Sequence, residues 1–480
     1  MLRSNGQYLG GESKCNEPMT PAQRRITLAI SVIVGLTLLV ITGLTFLVQP
    51  MAEDLDLPNT TVELALVVPP IAALLVVFVA GRAGDWFGER KTIIAAGMVF
   101  TLGAGILATA TIDPAVIIGL AMCGAGSAVI QVVALSLLKR TTLEGKARVQ
   151  AFTTFGMVFP AAFLVFPIAT SFLLGFVNWR WVPAIWSFGG VVVVVMAVLL
   201  LNRDRMRTGS GEWASSILAG IALATGGRML NEIGREEGNP VIIAMTAIFC
   251  ALAMIACVLV VKRSKNPGLS VRPLKGVMVR PLLFGIAVIA LIQILTYISI
   301  GLEYFYDMSP FEASIAIAPA QIGAVIGAKV VASRAIKVWG VPRSGRGLLL
   351  MTGLVMLLLV FVRPDTAVWY LVLVATVFSL TGMAALTVMN LDIMGRAPEG
   401  TAGIVSSFRT AASSLGGALS MVVLGVAVLS SVSIASGSGS VDEAQLEDLA
   451  AGFFIAVIGW AVLYVSSRRD RTTIRVGVSV

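Results

Sequence analysis

Between two apolar stretches, Val62–Ala80 and Thr92–Ala110, the chain reads Gly81-Arg82-Ala83-Gly84-Asp85-Trp86-Phe87-Gly88-Glu89-Arg90-Lys91. Asp85 is the group here with chemistry to do. Its carboxylate can accept hydrogen bonds from free backbone N–H groups at a helix start, where the helix dipole favours negative charge. Gly84 and Gly88 flank it and let the backbone turn tightly and approach a neighbouring helix end. Gly81 opens the pattern, and Arg90 and Lys91 are expected to stay in water and hold the connection on one side of a membrane.

Other chemistries lack their residues. The sequence contains no histidine, so histidine catalysis, histidine metal sites and histidine pH sensing are excluded. Cys15, Cys123, Cys250 and Cys257 form no CxxC pair, and three of them lie in apolar runs, so no metal or disulfide framework is indicated. There is no phosphate-cradling Walker sequence and no nucleophile–base set. An enzyme is not expected, nor any cofactor.

The elements that must position Asp85 follow from composition. Of 480 residues, 57% are hydrophobic and 13% charged, against roughly a quarter charged in a soluble protein. The apolar residues fall into discrete runs, and about 18 or more in a row suffice to cross a bilayer as a helix. The expected fold is an all-α polytopic membrane protein. Its spans are 26–48, 61–80, 92–110, 114–138, 150–174, 181–201, 214–230, 240–261, 282–304, 312–333, 347–362, 367–391, 401–428 and 451–466. These 14 spans divide the chain into a tail (1–24), a six-helix bundle (25–202), a linker with two extra transmembrane helices (203–265), a second six-helix bundle (266–467) and a second tail (468–480).

Charge orients the spans. With both termini cytoplasmic, cytoplasmic segments hold 29 of the 35 Lys and Arg residues, and only Arg180, Arg235 and Arg363 face outward. Miscounting a single helix would invert every later connection and destroy this asymmetry. The net charge of +9 therefore faces cytoplasmic headgroups, and no nucleic-acid partner is needed.

The spacing G-x-x-x-D-x-x-G-x-R-K at Gly81–Lys91 resembles the signature of the major facilitator superfamily of secondary transporters. The resemblance implies a gate that locks the cytoplasmic side, with Asp85 meeting the start of a helix near Gly400–Gly403. It also implies two six-helix bundles, here with two additional central helices. Three further stretches are similar to the fourteen-span drug:proton antiporter branch. These are Asn178-Trp179-Arg180-Trp181, Met308-Ser309-Pro310 through Ala318-Pro319, and Pro398-Glu399-Gly400-Thr401-Ala402-Gly403 with Leu415-Gly416-Gly417-Ala418-Leu419. Several positions depart from that branch. Leu36–Val48 holds no acid, Leu120 stands near the family's arginine, and Phe163-Leu164 replace glycines. Trp86 and Glu89 stand where basic residues are common, and Lys337 replaces an Asp in the second copy of the loop, Ser333–Arg343.

Ionisable side chains at bilayer depth are costly and mark functional candidates. Arg409 lies about 13 Å into its helix at ~1.5 Å per residue. Two readings stand for it: an anion contact or gating charge, or an arginine that snorkels to the interface. Lys329, nearer the cytoplasmic end, is read as snorkelling. Arg228 is expected to pair with Glu232 and Asp392 with Arg396, each one helical turn apart. Glu303, Glu63 and Asp392 are the candidate coupling carboxylates, with an exposed outer-interface carboxylate the other reading of Glu303 and a helix-end carboxylate that of Glu63. Phe152, Phe155, Phe159, Phe163 and Phe166 fall within an arc of about 80° at ~100° per residue. That stripe is either packing or the wall of an apolar path. Gln131, Gln293, Tyr297, Gln321 and Asn390, with Arg409, complete the candidate substrate path.

The reading is a multi-pass plasma (inner) membrane transporter exporting a drug-like or lipid compound. Its partners are that small-molecule or lipid substrate, membrane lipids and, in the antiport form, protons. Two alternatives stand beside it: a proton-independent lipid mover, and a transporter-like scaffold without transport.

Overall fold

The computed structural model describes residues 18–142, 145–202, 212–233, 238–264, 310–359, 367–398 and 401–424, with 269, 285, 298, 302, 306 and 308 as isolated positions. Among the described residues every regular element is helical. The helices are α1 Pro21–Thr37, α2 Leu39–Asp54, α3 Asn59–Phe87, α4 Glu89–Ala108, α5 Asp113–Thr141, α6 Lys146–Gly156 and α7 Val158–Leu174. They continue as α8 Trp181–Leu200, α9 Ala214–Ile233, α10 Pro240–Arg263, α11 Pro310–Ile326, α12 Ala332–Leu359, α13 Val368–Arg396 and α14 Ala402–Leu424. A π-helical turn, Gly327–Val331, joins α11 to α12.

Each expected span between 26 and 261 coincides with helix, as do those from 312 onward as far as the described residues reach, to 359 and 424 in two of them; 451–466, and 282–304 apart from isolated positions, lie outside the described residues. Nine helical stretches among the described residues are long and apolar enough to cross a membrane. α9, which carries Arg228 and Glu232, is not one of them.

Boundaries correct the sequence reading in one important place. α3 runs for 29 residues, about 43 Å at ~1.5 Å per residue, well beyond a hydrocarbon core of roughly 30 Å. Gly81, Gly84 and Asp85 are therefore inside a helix and not in a loop. The chain turns at Gly88 alone, whose φ of 95° suits a residue without a side chain. α4 begins one residue later, with Arg90 and Lys91 in its first turn.

The same device recurs 252 residues on. Gly340 has φ 70° and breaks the helix within α12. Thr92 Oγ1 donates to Gly88 O at 2.8 Å, and Ser344 Oγ donates to Gly340 O at 2.7 Å. The two copies of the loop thus share a positive-φ glycine whose carbonyl accepts from a hydroxyl four residues on.

In lipid, helices gain little from burying apolar surface against each other, so small residues that permit close packing decide where they meet. Gly103 and Gly119 face each other where α4 crosses α5, and a methyl on Gly119 would come 2.8 Å from Gly103 O and 3.1 Å from Leu107 N. Gly124 lies against the Pro69 backbone of α3, and Gly190 of α8 against Thr101 of α4. α9 seats Gly220 on the Leu75 carbonyl of α3, and α10 packs on α9. The outer face of α10 presents Met245, Ile248, Leu252 and Ile255 outward, as a lipid-facing surface does.

Gly119→Val should lower thermal stability by about 1–3 kcal/mol through overpacking. Gly395→Ala, with nothing within 4 Å of the added carbon, should leave it unchanged. Thermal unfolding of the purified protein in detergent measures both.

Candidate functional site

The end of α3, the start of α4 and the basic end of α5 lie on one face of the bundle, where Arg140 meets Glu89 and Lys139 meets Ala397, and there the halves meet. α3 of the first half crosses α14 of the second at Gly81 and Gly403, so closely that neither could carry a methyl without meeting the other's backbone. Asp85, one turn along α3, faces the same glycine: a methyl on Gly403 would sit 2.5 Å from Asp85 Oδ2. Gly403 lies in the first turn of α14, where backbone N–H groups have no helical partner. The carboxylate is thus placed at a helix start of the opposite half.

The crossing continues inward. Ser407 Oγ donates to Val77 O at 2.8 Å. Phe78 and Phe408 stack edge to face with centroids 4.9 Å apart. Other contacts join the halves beside it: Lys139 of α5 donates to the Ala397 carbonyl, and Lys329 of the π turn donates to Thr154 Oγ1 of α6. A methyl on Gly156 would come 2.5 Å from Thr387 Oγ1 of α13.

Ion pairs brace the first half internally. Arg140 of α5 pairs with Glu89, which is 5% exposed at the start of α4. Arg90 does not simply stay in water. It donates to the Ala197 and Val198 carbonyls at 3.2 and 2.6 Å, closing the C-terminal end of α8 with a positive charge. Lys91 is exposed. On the opposite face Trp179 Nε1 donates to Asp54 Oδ2 at 3.0 Å, Arg180 pairs with the same carboxylate, and Arg180 also reaches Ala110 O at 3.2 Å. Trp86 leans on Trp213, just before α9, with centroids 5.7 Å apart, and Arg82 lies 5.5 Å over the Trp86 ring. The extra helix pair is thereby attached to the end of α3.

The candidate path residues separate. Asn390 of α13 accepts from Arg409 Nε of α14 at 2.7 Å. Arg409 is 8% exposed, so its side chain turns into the second half rather than out to the interface. The phenylalanine stripe continues across the junction of α6 and α7, where Phe155 and Phe159 stack edge to face with centroids 6.5 Å apart, but its burial is not uniform. The helix is interrupted at Met157 between α6 and α7. Phe152 and Phe155 are 1% and 3% exposed in the core, Phe159 packs partly against it, and Phe163 is 41% exposed. Gln131 and Gln321 are half-buried, and Glu63 is exposed. Gln293, Tyr297 and Glu303 lie outside the described residues. Asp392 accepts from Arg396 Nε at 2.8 Å, and Arg228 lies 2.6 Å from Glu232 in α9. Both are the one-turn pairs that spacing predicts.

Sequence reasoning missed Lys139, Thr154 and Ser407 as contacts between halves. A hydroxyl in an apolar helix is the available signal, but it is shared by many threonines and serines that only bond their own helix. The Lys329 amine crosses to Thr154, which replaces the snorkelling expectation.

The Major Facilitator Superfamily profile matches residues 30–421. The chain belongs to that superfamily. It is similar to the puromycin resistance protein pur8 of Streptomyces alboniger, 27% identical over 403 residues that cover 79% of this chain and 76% of that protein. It is also similar to the multidrug efflux pump LfrA of Mycolicibacterium smegmatis, 23% identical over 423 residues covering 85% and 81%. The crystal structure of the human organic anion transporter MFSD10 (TETRAN) superposes with a TM-score of 0.66 at 14% identity, covering 93% of this chain and 100% of that one. The fold is thus that of a multi-pass facilitator transporter, related in sequence to drug-resistance and efflux members and not to enzymes.

Within that fold the α3–α14 crossing is closed here, and its closure depends on two glycines. Gly81→Val should hold the crossing apart, because a side chain there meets Ser407 Oγ and the Gly403 backbone. A thiol introduced by Ser406→Cys, at a fully buried position, should then label several-fold faster with a water-soluble maleimide, in a background free of the native cysteines. Unchanged labelling would show that the crossing does not seal this face.

Proposed function

We propose that the chain is a secondary active transporter that exports a hydrophobic or amphiphilic small molecule by alternating access, its two halves rocking about a site between them. In this reading the basic face is cytoplasmic, by the positive-inside asymmetry, and the structure is the state closed on that side. The observation that carries the proposal is the Asp85–Gly403 contact. A carboxylate of one half lies at the open helix start of the other, a contact that can form and part as a unit. Ion pairs such as Glu89–Arg140, Asp54–Arg180 and Asp392–Arg396 act within a half instead, so rocking need not break them. The similarity to efflux and resistance proteins supports export of drug-like compounds.

Phe159 and Phe163 are proposed as the part of the stripe that meets the substrate, with Arg409 and Asn390 as the polar contact in the second half. Glu63, Asp392 and Glu303 remain the proposed coupling carboxylates.

In proteoliposomes, an imposed proton gradient should accelerate export of an apolar dye by the wild-type protein. Asp85→Asn should slow it severely while membrane insertion stays normal. Equal wild-type rates with and without the gradient would replace coupled export by proton-independent movement of a lipid-like compound, and no movement of any compound would favour the scaffold reading.

The phenylalanines should divide by position. Phe152→Ala should cost about 3–5 kcal/mol of stability, as large-to-small changes in a packed core do, without altering which compounds are carried. Phe163→Ala should change the order of preference among compounds with little loss of stability. A compound panel run beside thermal unfolding measures the contrast.

A further inference from the structure

The internal repeat assigns a partner to the α3–α14 crossing. Asp85 and Lys337 stand 252 residues apart in the two copies of the loop, as do the turning glycines Gly88 and Gly340. At that spacing Gly81 corresponds to Ser333, and Val77, whose carbonyl receives Ser407, corresponds to Lys329. The partner helices also correspond. Glu144-Gly145-x-Ala147 precedes and opens α6 as Glu399-Gly400-x-Ala402 does α14, so Gly403 corresponds to Arg148 and Arg409 to Thr154. The crossing of the π turn and α6 is therefore the second copy of the crossing of α3 and α14.

The two copies solve the same packing problem with different residues. In the first, Gly81 and Gly403 let the backbones touch, and a hydroxyl bonds directly to a main-chain carbonyl. In the second, Ser333 and Arg148 stand where those glycines would be, so the backbones cannot close to the same distance. A longer side chain is needed to span the gap, and Lys329 supplies it, donating to Thr154 Oγ1.

The local backbone is adapted to this. Lys329 is the middle residue of the π turn Gly327–Val331, and single π turns inside α-helices are frequent at functional sites. Ser333 Oγ donates to Lys329 O at 2.5 Å, adding a bond to a carbonyl that lies in this altered ladder. Gly327 and Gly323 seat the same stretch on the Leu380 and Thr376 carbonyls of α13, so closely that a side chain at Gly327 would meet the Leu380 backbone. The turn is thus anchored to its own half while its lysine reaches into the other.

We infer that Lys329 and Thr154 form a second clasp between the halves, one in which Lys329 is a positioning residue that sets how readily the basic face opens. The inference rests on the proposed rocking of the halves. A neutral hydroxyl as the acceptor keeps the clasp firm enough to bias the closed state and weak enough to part in each cycle. A charge-assisted hydrogen bond is stronger than a neutral one, and its loss shifts the ratio of open to closed molecules by roughly tenfold.

The test uses the full-length protein in membrane vesicles, free of native cysteines, with Thr387→Cys as reporter. Thr387 is 1% exposed and faces Gly156 beside the clasp. The rate of labelling by a membrane-impermeant maleimide applied to the basic face is the readout. Lys329→Gln and Thr154→Val should each raise it about tenfold, and the double variant should label no faster than either single one, as expected for two partners of one interaction. Lys329→Arg and Thr154→Ser should restore slow labelling, which a purely structural role for these side chains does not predict. Thermal unfolding of Thr154→Val, nearly equal in shape to the parent, guards against misfolding as the cause. Unchanged rates in both single variants, or effects that multiply, overturn the clasp. Gly81→Val distinguishes failure of the clasp from failure of the rocking motion. If it exposes the reporter and Thr154→Val does not, the clasp fails alone; if neither exposes it, the rocking reading fails and the clasp with it.

Discussion

Two helices in hydrocarbon approach closely only where side chains allow it, and everything else in this protein is arranged around that limit. Leucine against leucine gains nothing over leucine against lipid. Contact positions are therefore set by glycine, and by the few hydrogen bonds worth making where water is absent. Gly103 with Gly119 and Gly124 with Pro69 fix α3, α4 and α5 as one body. Gly81 with Gly403 applies the same geometry between bodies.

What distinguishes a permanent contact from a movable one is the polar chemistry beside the glycines. Inside the first half, Glu89–Arg140 and the Asp54–Trp179–Arg180 group join helices through charged pairs. The Glu89–Arg140 pair, with Glu89 buried, is costly to separate. Between halves, the crossings use Ser407 on a carbonyl, Lys139 on a carbonyl and Lys329 on a hydroxyl. Each of these bonds, like Asp85 at the start of α14, carries a charge on one partner at most, so parting the halves leaves at most one charge per contact to be solvated, where separating an ion pair leaves two.

The extra helices bear on this crossing without lying in it. Ala219 of α9 and Cys257 of α10 share a buried cluster with Val77 and Phe78 of α3 and Ala411 of α14, and Trp213 packs against Trp86 at the end of α3. The pair therefore touches both halves beside the place where they meet, which gives it a mechanical position in the fold and makes it more than a spacer between bundles.

Much of this was legible in order of sequence. The apolar runs mark the helices because backbone groups in lipid must bond within their own segment. Asp85 and its glycines stand out because ionisable residues are scarce there, and one-turn pairs such as Asp392–Arg396 follow from helical periodicity alone. The sequence could not show that Gly81 and Gly84 stay helical, since the same glycines suit a turn, and only packing against Gly403 and Val133 chooses between the two. Nor could periodicity reveal that the phenylalanine stripe passes from buried at Phe152 to exposed at Phe163, or that Lys329 turns across to Thr154 while Arg409 turns to Asn390. Burial and reach depend on neighbours on other helices, 175 residues away for Lys329 and 19 for Arg409. Local sequence determines which helices form and where they can pack closely; the tertiary structure decides which polar groups meet across the gaps that remain, because those distances are set jointly by helices that share no stretch of chain.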